Sequence, residues 1–412
     1  MIRYNSPFHL CSGLEVIIKS APKLHSIGIA LGVQYGAMDD PIAKSGMANL
    51  LQRTVYRADK DLEDAIAENG IEHRPFTDYN ATVHAFKVPK RKVREGCDLM
   101  AAVASSYMIT NRAMEPEKMR MIEENAQMED DAGHFGFNTL QKIMFGDSRP
   151  SISTGGTNDT LERISVDDLK KSLLANYTGD KMVLSIYGAT GFEPALNAAA
   201  EAFGDVNSTY SPRKVAKAIP VLPVKSLSLG RDGITQTKFS LGIRTRGFFD
   251  DNRVYELPAL DCAVRILNER IYDEVREKRG LVYGAWAGNV ENNGFGFITI
   301  SGGARQEKME EAHKVILEEL QKMRDGEISQ ADLTRAKRNG RIEEEGYLDD
   351  TGVTASKIAY ERSVIGDGAY MLSDAARKLN LTQLRKTTAR YFNPDKVYSV
   401  FVEPKQINLP IL

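Results

Sequence analysis

Cysteine is scarce. The chain has three in 412 residues, Cys11, Cys97 and Cys262, far apart and odd in number. That excludes a disulfide framework and a cysteine metal knuckle, and it reads as three isolated buried thiols. Long apolar runs are also missing; none approaches the roughly twenty residues that a membrane-spanning helix needs. Charge of one sign is not in excess, with a formal net charge of −2, so there is no basic footprint for nucleic acid. The first residues, Met1-Ile-Arg-Tyr-Asn-Ser-Pro, carry neither the apolar core of a signal peptide nor an Arg-rich transit segment, which gives a cytoplasmic expectation. A phosphate-binding loop is absent too. Gly294-Phe-Gly-Phe, Ser301-Gly-Gly and Gly188-Ala-Thr-Gly191 lack the fingerprint residues such a loop requires. The first two read as strand with close backbone approach.

What is present is a globular composition, 42% hydrophobic and 27% charged, in a chain too long for one core. Strands are expected at 14–19, 27–33, 82–88 and 182–187, with helices at 45–57, 60–69, 92–110, 116–130, 138–145, 166–177 and 193–203. The stretch 207–224, with Pro212, Pro220 and Pro223, reads as a linker. It divides the chain into domains 1–206 and 225–412. The second half restarts with strands at 226–229 and 237–245, a long helix at 256–278 and strands at 281–290 and 295–301. Helices at 306–322, 330–347, 353–363 and 382–391 follow, and a closing strand at 397–403.

The halves look like copies of one unit. Leu169-Lys-Lys leads through a helix to Asp180-Lys181 and an apolar strand; Leu384-Arg-Lys leads to Asp395-Lys396 and another, 215 residues later. Charged helices at 117–131 and 330–350 both end in an Asp pair. A repeat this long means two tandem domains. Strands and helices do not alternate regularly, so the expected class is α+β, each domain a mostly antiparallel sheet packed with helices.

The first helix reads Ser45-Gly-Met-Ala-Asn49-Leu-Leu-Gln52-Arg53, after a strand and an acidic turn and before a second helix closed by Asn69-Gly70. This layout resembles the pitrilysin and mitochondrial-processing-peptidase family of inverted zincins, which carry H-x-x-E-H on this helix. Two His four apart bind zinc from one helix face, and the Glu activates water. Here the matching positions are Asn49, Gln52 and Arg53. Asn is a poor zinc ligand, Arg is never deprotonated, and Gln is no base. The family's third ligand is a Glu on a later helix; Glu124 matches it best, with Glu117 earlier. Without the His pair, Glu124 reads as a surface carboxylate. His73 and His84 lack a third ligand at a plausible spacing and read as unrelated histidines. Arg74-Pro75 stands where the family has an Asn-Ala edge that pairs with substrate, and Pro removes a donor from it.

In the second half, Val264, Leu267, Ile271 and Val275 recur at helical spacing, Arg276 falls on the last turn, Gly280 stops the helix, and a strand follows. Arg276-Glu277, Gly280, Leu281 and Tyr283 match the family's second-half pattern, with Arg and Tyr seven residues apart. The resemblance implies that Arg276 and Tyr283 hold substrate backbone or a developing oxyanion across a cavity from zinc. It also implies half of a clam-shell chamber. The chain then looks like the zinc-free subunit of a heterodimeric metallopeptidase. It would hold no metal itself, and zinc would sit in a homologous partner. The substrate would be a peptide or unfolded protein, and in isolation the chain would form a homodimer. The other readings left open are a structural homologue, like the core proteins of the cytochrome reductase, and a peptide-binding module without peptidase function.

Overall fold

The sequence of the second long strand alternates large and small residues: Ser26-Ile-Gly28-Ile-Ala30-Leu-Gly32-Val. In the computed structural model, which describes residues 7–208, 219–247, 256–292, 294–366 and 375–405, this alternation decides both faces of a sheet. The strands are β1 (Phe8–His9), β2 (Glu15–Ser20), β3 (Ser26–Val33), β4 (Glu72–His73), β5 (Phe76–Thr77), β6 (Thr82–Pro89) and β7 (Met182–Gly188). They lie in the order β1-β2-β7-β3-β6-β4, with β5 also on β6. Only β2 and β7 run parallel; every other pair is antiparallel. Ile27, Ile29, Leu31 and Val33 enter a core shared with helices Met47–Arg57, Val93–Ala104 and Val166–Asn176. The small residues face the other way and floor a trough.

Helix Thr351–Ile365 lies in that trough. Ala30 packs with Ala355 and Ala359. A methyl group on Gly28 would come within 1.9 Å of the Thr351 carbonyl oxygen, and one on Gly32 within 2.7 Å of the Ala359 carbonyl. Ser26 Oγ and Thr351 Oγ1 are 2.8 Å apart. Asp350 caps this helix, accepting from the Gly352 and Val353 amides, and Gly366 at φ +68° ends it.

The second sheet repeats the plan. Its strands are β8 (Ser226–Arg231), β9 (Thr237–Thr245), β10 (Val282–Asn292), β11 (Phe295–Ala304) and β12 (Val397–Pro404), in the order β10-β11-β9-β12-β8. The pair β8 and β12 is parallel, as β2 and β7 are. Helix Ala132–Phe145 packs on β9 and β12, where a methyl on Gly242 would meet Met144 Sδ at 2.4 Å. Asp131 caps this helix through the His134 amide, and Gly146 at φ +58° ends it. The two Asp pairs therefore mark the starts of corresponding helices.

These helices change the division expected from the linker. One compact unit comprises 1–125, 153–214 and 343–370; the other comprises 126–152, 215–342 and 371–412. Each sheet is covered by a helix from the other half of the chain, a non-local pairing that no local signal announces. Of the linker, 209–218 lies outside the described residues. Its ends are fixed: Asn207 O accepts from Gly179, and Arg244 donates to the carbonyls of Ile219 and Pro220.

The Leu169 and Leu384 segments correspond as expected. Helices Val166–Asn176 and Leu381–Tyr391 both start with a capping box, from Ser165 and Asn380, and both lead through a short 3₁₀ turn to a central strand. The fold is α+β with antiparallel-rich sheets. Two local expectations change. Pro116 does not begin its helix but lies inside Asn111–Asp130, where it removes one backbone bond. Cys11 is exposed in the turn after β1, whereas Cys97 and Cys262 are buried. Among the described residues no helix is long and apolar enough to cross a membrane.

Gly28→Ala is expected to lower stability by at least about 1–3 kcal/mol, because neither backbone can give way. Gly346→Ala, in an open stretch of helix Gln330–Tyr347, is expected to gain up to about 1 kcal/mol. Urea unfolding midpoints of the two variants should move in opposite directions.

Candidate functional site

Helix Met47–Arg57 is anchored by the acidic turn before it. The Asp40 carboxylate accepts from the Gly46 and Ala48 amides at 2.9 and 3.0 Å, and Tyr35 donates its hydroxyl to it. Ala48, Leu50, Leu51 and Val55 are fully buried, which turns Asn49 and Arg53 to the opposite face. There Arg53 Nε donates to Asn49 Oδ1 at 3.0 Å, and its two terminal nitrogens grip Glu124 in a fork at 2.8 and 2.7 Å. Glu124 is a partly exposed carboxylate, as expected, and it is paired. Its partner is not set by sequence alone, since a fork geometry depends on two helices meeting. One turn on, Arg57 pairs with the buried Glu117, which Arg120 also approaches at 3.4 Å. The signal was available: Arg53 and Arg57 repeat at helical spacing, as do Glu117 and Glu124.

This donor set does not fit zinc. Asn49 offers an amide, Arg53 a permanent cation, and the one carboxylate that could complete a site is already neutralised by that cation. Gln52 is 5% exposed and borders a polar cavity of about 280 Å³, together with Arg53, Arg57, His73 and Pro75.

The two histidines read as unrelated share a neighbour. The Tyr56 ring lies 5.0 Å from that of His73 and 5.6 Å from that of His84. His84 is fully buried between two phenols, Nδ1 3.0 Å from Tyr56 Oη and Nε2 2.9 Å from Tyr177 Oη. Burial pushes its imidazole down to about 3 and both phenols up. The edge beside it is broken at Arg74-Pro75 into β4 and β5, although the Arg74 amide still donates to Ala85.

In the second unit, helix Leu257–Ile271 buries Val264, Leu267 and Ile271 as the spacing predicts. It does not continue as one helix to 278. Tyr272–Glu277 is a π turn, in which Val275 stays buried and Arg276 projects half-exposed, its guanidinium 5.2 Å from the Tyr272 ring centroid. Gly280 at φ +55° closes the turn, with Gly280 N donating to Arg276 O and Leu281 N to Val275 O. Tyr283 is the extra residue where the register of β10 on β11 shifts between Val282 and Gly284. This bulge leaves its ring 59% exposed. Arg305 hydrogen-bonds Tyr283. Asn268 closes the β10 edge, bonding both the amide and the carbonyl of Ala287. Arg276 and Tyr283 are not bonded to each other among the described residues, and both offer donors to solvent. Neither irregularity is visible in spacing alone.

Comparison with known proteins covers both halves of the chain. The family profile for insulinase, peptidase family M16, matches residues 15–158, and that for the peptidase M16 inactive domain matches 163–339. The chain belongs to peptidase family M16. An uncharacterized zinc protease of Mycobacterium leprae is 24% identical over 371 residues, 88% of this chain and 82% of that protein. Among solved structures, a protease from Helicobacter pylori superposes with a TM-score of 0.85 at 20% identity, covering 97% and 99% of the two chains. The periplasmic protease PqqL from Escherichia coli superposes at 0.77 and 14% identity; this M16 chain is covered to 98% but spans 47% of PqqL. At these identities the structural likenesses speak for the fold. The same fold thus occurs both as a unit of this length and as half of a longer chain.

Two outcomes are expected. Purified protein should hold no stoichiometric zinc after mild dialysis, whereas the double variant Asn49→His, Arg53→His, which frees Glu124 and supplies a helical imidazole pair, should take up about one zinc per chain by elemental analysis. His84 stays neutral in the native state down to about pH 3 but protonates near the ordinary imidazole value of 6.5 when unfolded. Its contribution is therefore complete above about pH 6.5 and is lost as pH falls toward 3, by at most about 1.4 kcal/mol per pH unit. Urea midpoints between pH 4 and 7 should show that slope, and His84→Gln should flatten it.

Proposed function

We propose that this M16 chain is the zinc-free subunit of a two-chain metallopeptidase. In this reading it pairs with a homologous, zinc-bearing subunit and lends it Arg276 and Tyr283. The observation that carries the reading is the contrast between its two halves. At the degenerate motif the one carboxylate suited to metal is held by Arg53 in a closed fork. At the second-half motif Arg276 and Tyr283 stand half-exposed, on a π turn and a β-bulge. Such irregularities interrupt regular hydrogen bonding and are frequent at functional sites.

The chemistry asked of this chain is modest. The scissile peptide would be bound at the partner's zinc, which supplies the Lewis acid. Arg276 would hold the peptide backbone through its planar fork, and the Tyr283 hydroxyl would donate to the carbonyl oxygen as charge develops there. Arg305 would keep the phenol oriented. Gln52 cannot accept a proton from water, so the isolated chain is expected to hydrolyse no peptide.

The test is reconstitution with a zinc-bearing homologue, with assembly measured separately from turnover. Arg276→Lys and Tyr283→Phe are each expected to lower turnover about a hundred- to a thousand-fold while assembly is unchanged. Normal assembly with unaltered cleavage would instead make this chain a scaffold or peptide-capture homologue.

A further inference from the structure

Gln52 is the residue of the degenerate motif that the zinc-free reading leaves without a role. Its side chain is mostly buried, and it meets the cavity rather than a neighbouring side chain. Its amide is therefore free to pair with whatever enters the cavity. It borders the polar cavity of about 280 Å³, just below the range of pockets that hold small ligands.

The same cavity is short of acceptors. Arg53 is committed to Glu124 and Asn49. Arg57 and Arg120, however, converge on a single oxygen, Glu117 Oε1, and have no other acceptor among the described residues. Each guanidinium therefore keeps donors that no protein atom meets. Arg120 is half-exposed, so these donors are reachable from solvent. Glu63, exposed at the cavity wall, opposes a multiply charged anion and so favours one carboxylate over a phosphate.

We propose that the former metal site is a recognition pocket for the C-terminal end of a peptide. The terminal carboxylate sits on Arg57 and Arg120, and the last amide pairs with Gln52. A carboxamide both donates and accepts, as a peptide group does, and a peptide end is the simple ligand that carries an amide one residue before a carboxylate. Arg53 stands at the edge of this cavity with its charge already met by Glu124. This site lies wholly in the first unit, and its occupancy does not depend on a partner or on Arg276.

Calorimetry on the isolated chain tests it, with the probes N-acetyl-Ala-Ala-Ala as free acid, its C-terminal amide, and acetate. The free acid is expected to bind at one site per chain, at least about tenfold more tightly than the amide or acetate. Arg120→Gln and Gln52→Leu are each expected to weaken it about tenfold or more, with thermal unfolding unchanged or raised. Equal affinity for acid and amide, acetate binding as tightly as the peptide, no binding up to about 10 mM, or binding unaltered in Arg120→Gln would each overturn the proposal.

Discussion

Close helix-on-sheet contact at glycines is the constraint on which both sheets rest. Gly28 and Gly32 bring β3 against the backbone of helix Thr351–Ile365, and Gly242 admits Met144 of helix Ala132–Phe145. A close-packed interior has no slack to absorb an added methyl at such a contact. Each helix is delimited the same way, by an aspartate cap and a glycine in the left-handed region. The repeat is therefore preserved as a packing device, not only as an order of elements, and each sheet is completed by residues from the other half of the chain.

At the helix that carries Asn49 and Arg53 the charges are met by one another. Glu124 meets a cation, because Arg53 supplies the charge from that helix itself. Arg57 and Glu117 add a second rung between the same helices. The pairs are partly exposed, so their contribution to stability is modest; their effect is to fix the geometry. His84 shows the complementary solution, a polar group made tolerable inside the core by two phenols rather than by charge.

The second-half site obeys different physics. Its side chains are set by breaks in regular structure. A π turn re-aims Arg276 while Val275 remains in the core, and a bulge re-aims Tyr283 while Val282 remains in register. Asn268, by closing the β10 edge at Ala287, holds the strand beside the turn. The edge is thereby protected at the point nearest the helix, and the donors stay available at its start.

The sequence by itself determined most of the local structure. Helix and strand periods, the repeat of Leu169 and Leu384, the stop at Gly280 and the helix that carries Asn49, Gln52 and Arg53 all follow from residue type and spacing. These are short-range properties, carried by adjacent residues. Tertiary structure alone decided which helix covers which sheet, that Glu124 belongs to Arg53, that Arg57 and Arg120 share one oxygen of Glu117, and that Cys11 is exposed. Each of these depends on segments far apart in the chain meeting at specific distances. The π turn and the bulge lie between the two cases: they are local in extent, but they form because Val275 and Val282 must both reach one core, and that core exists only in the folded chain.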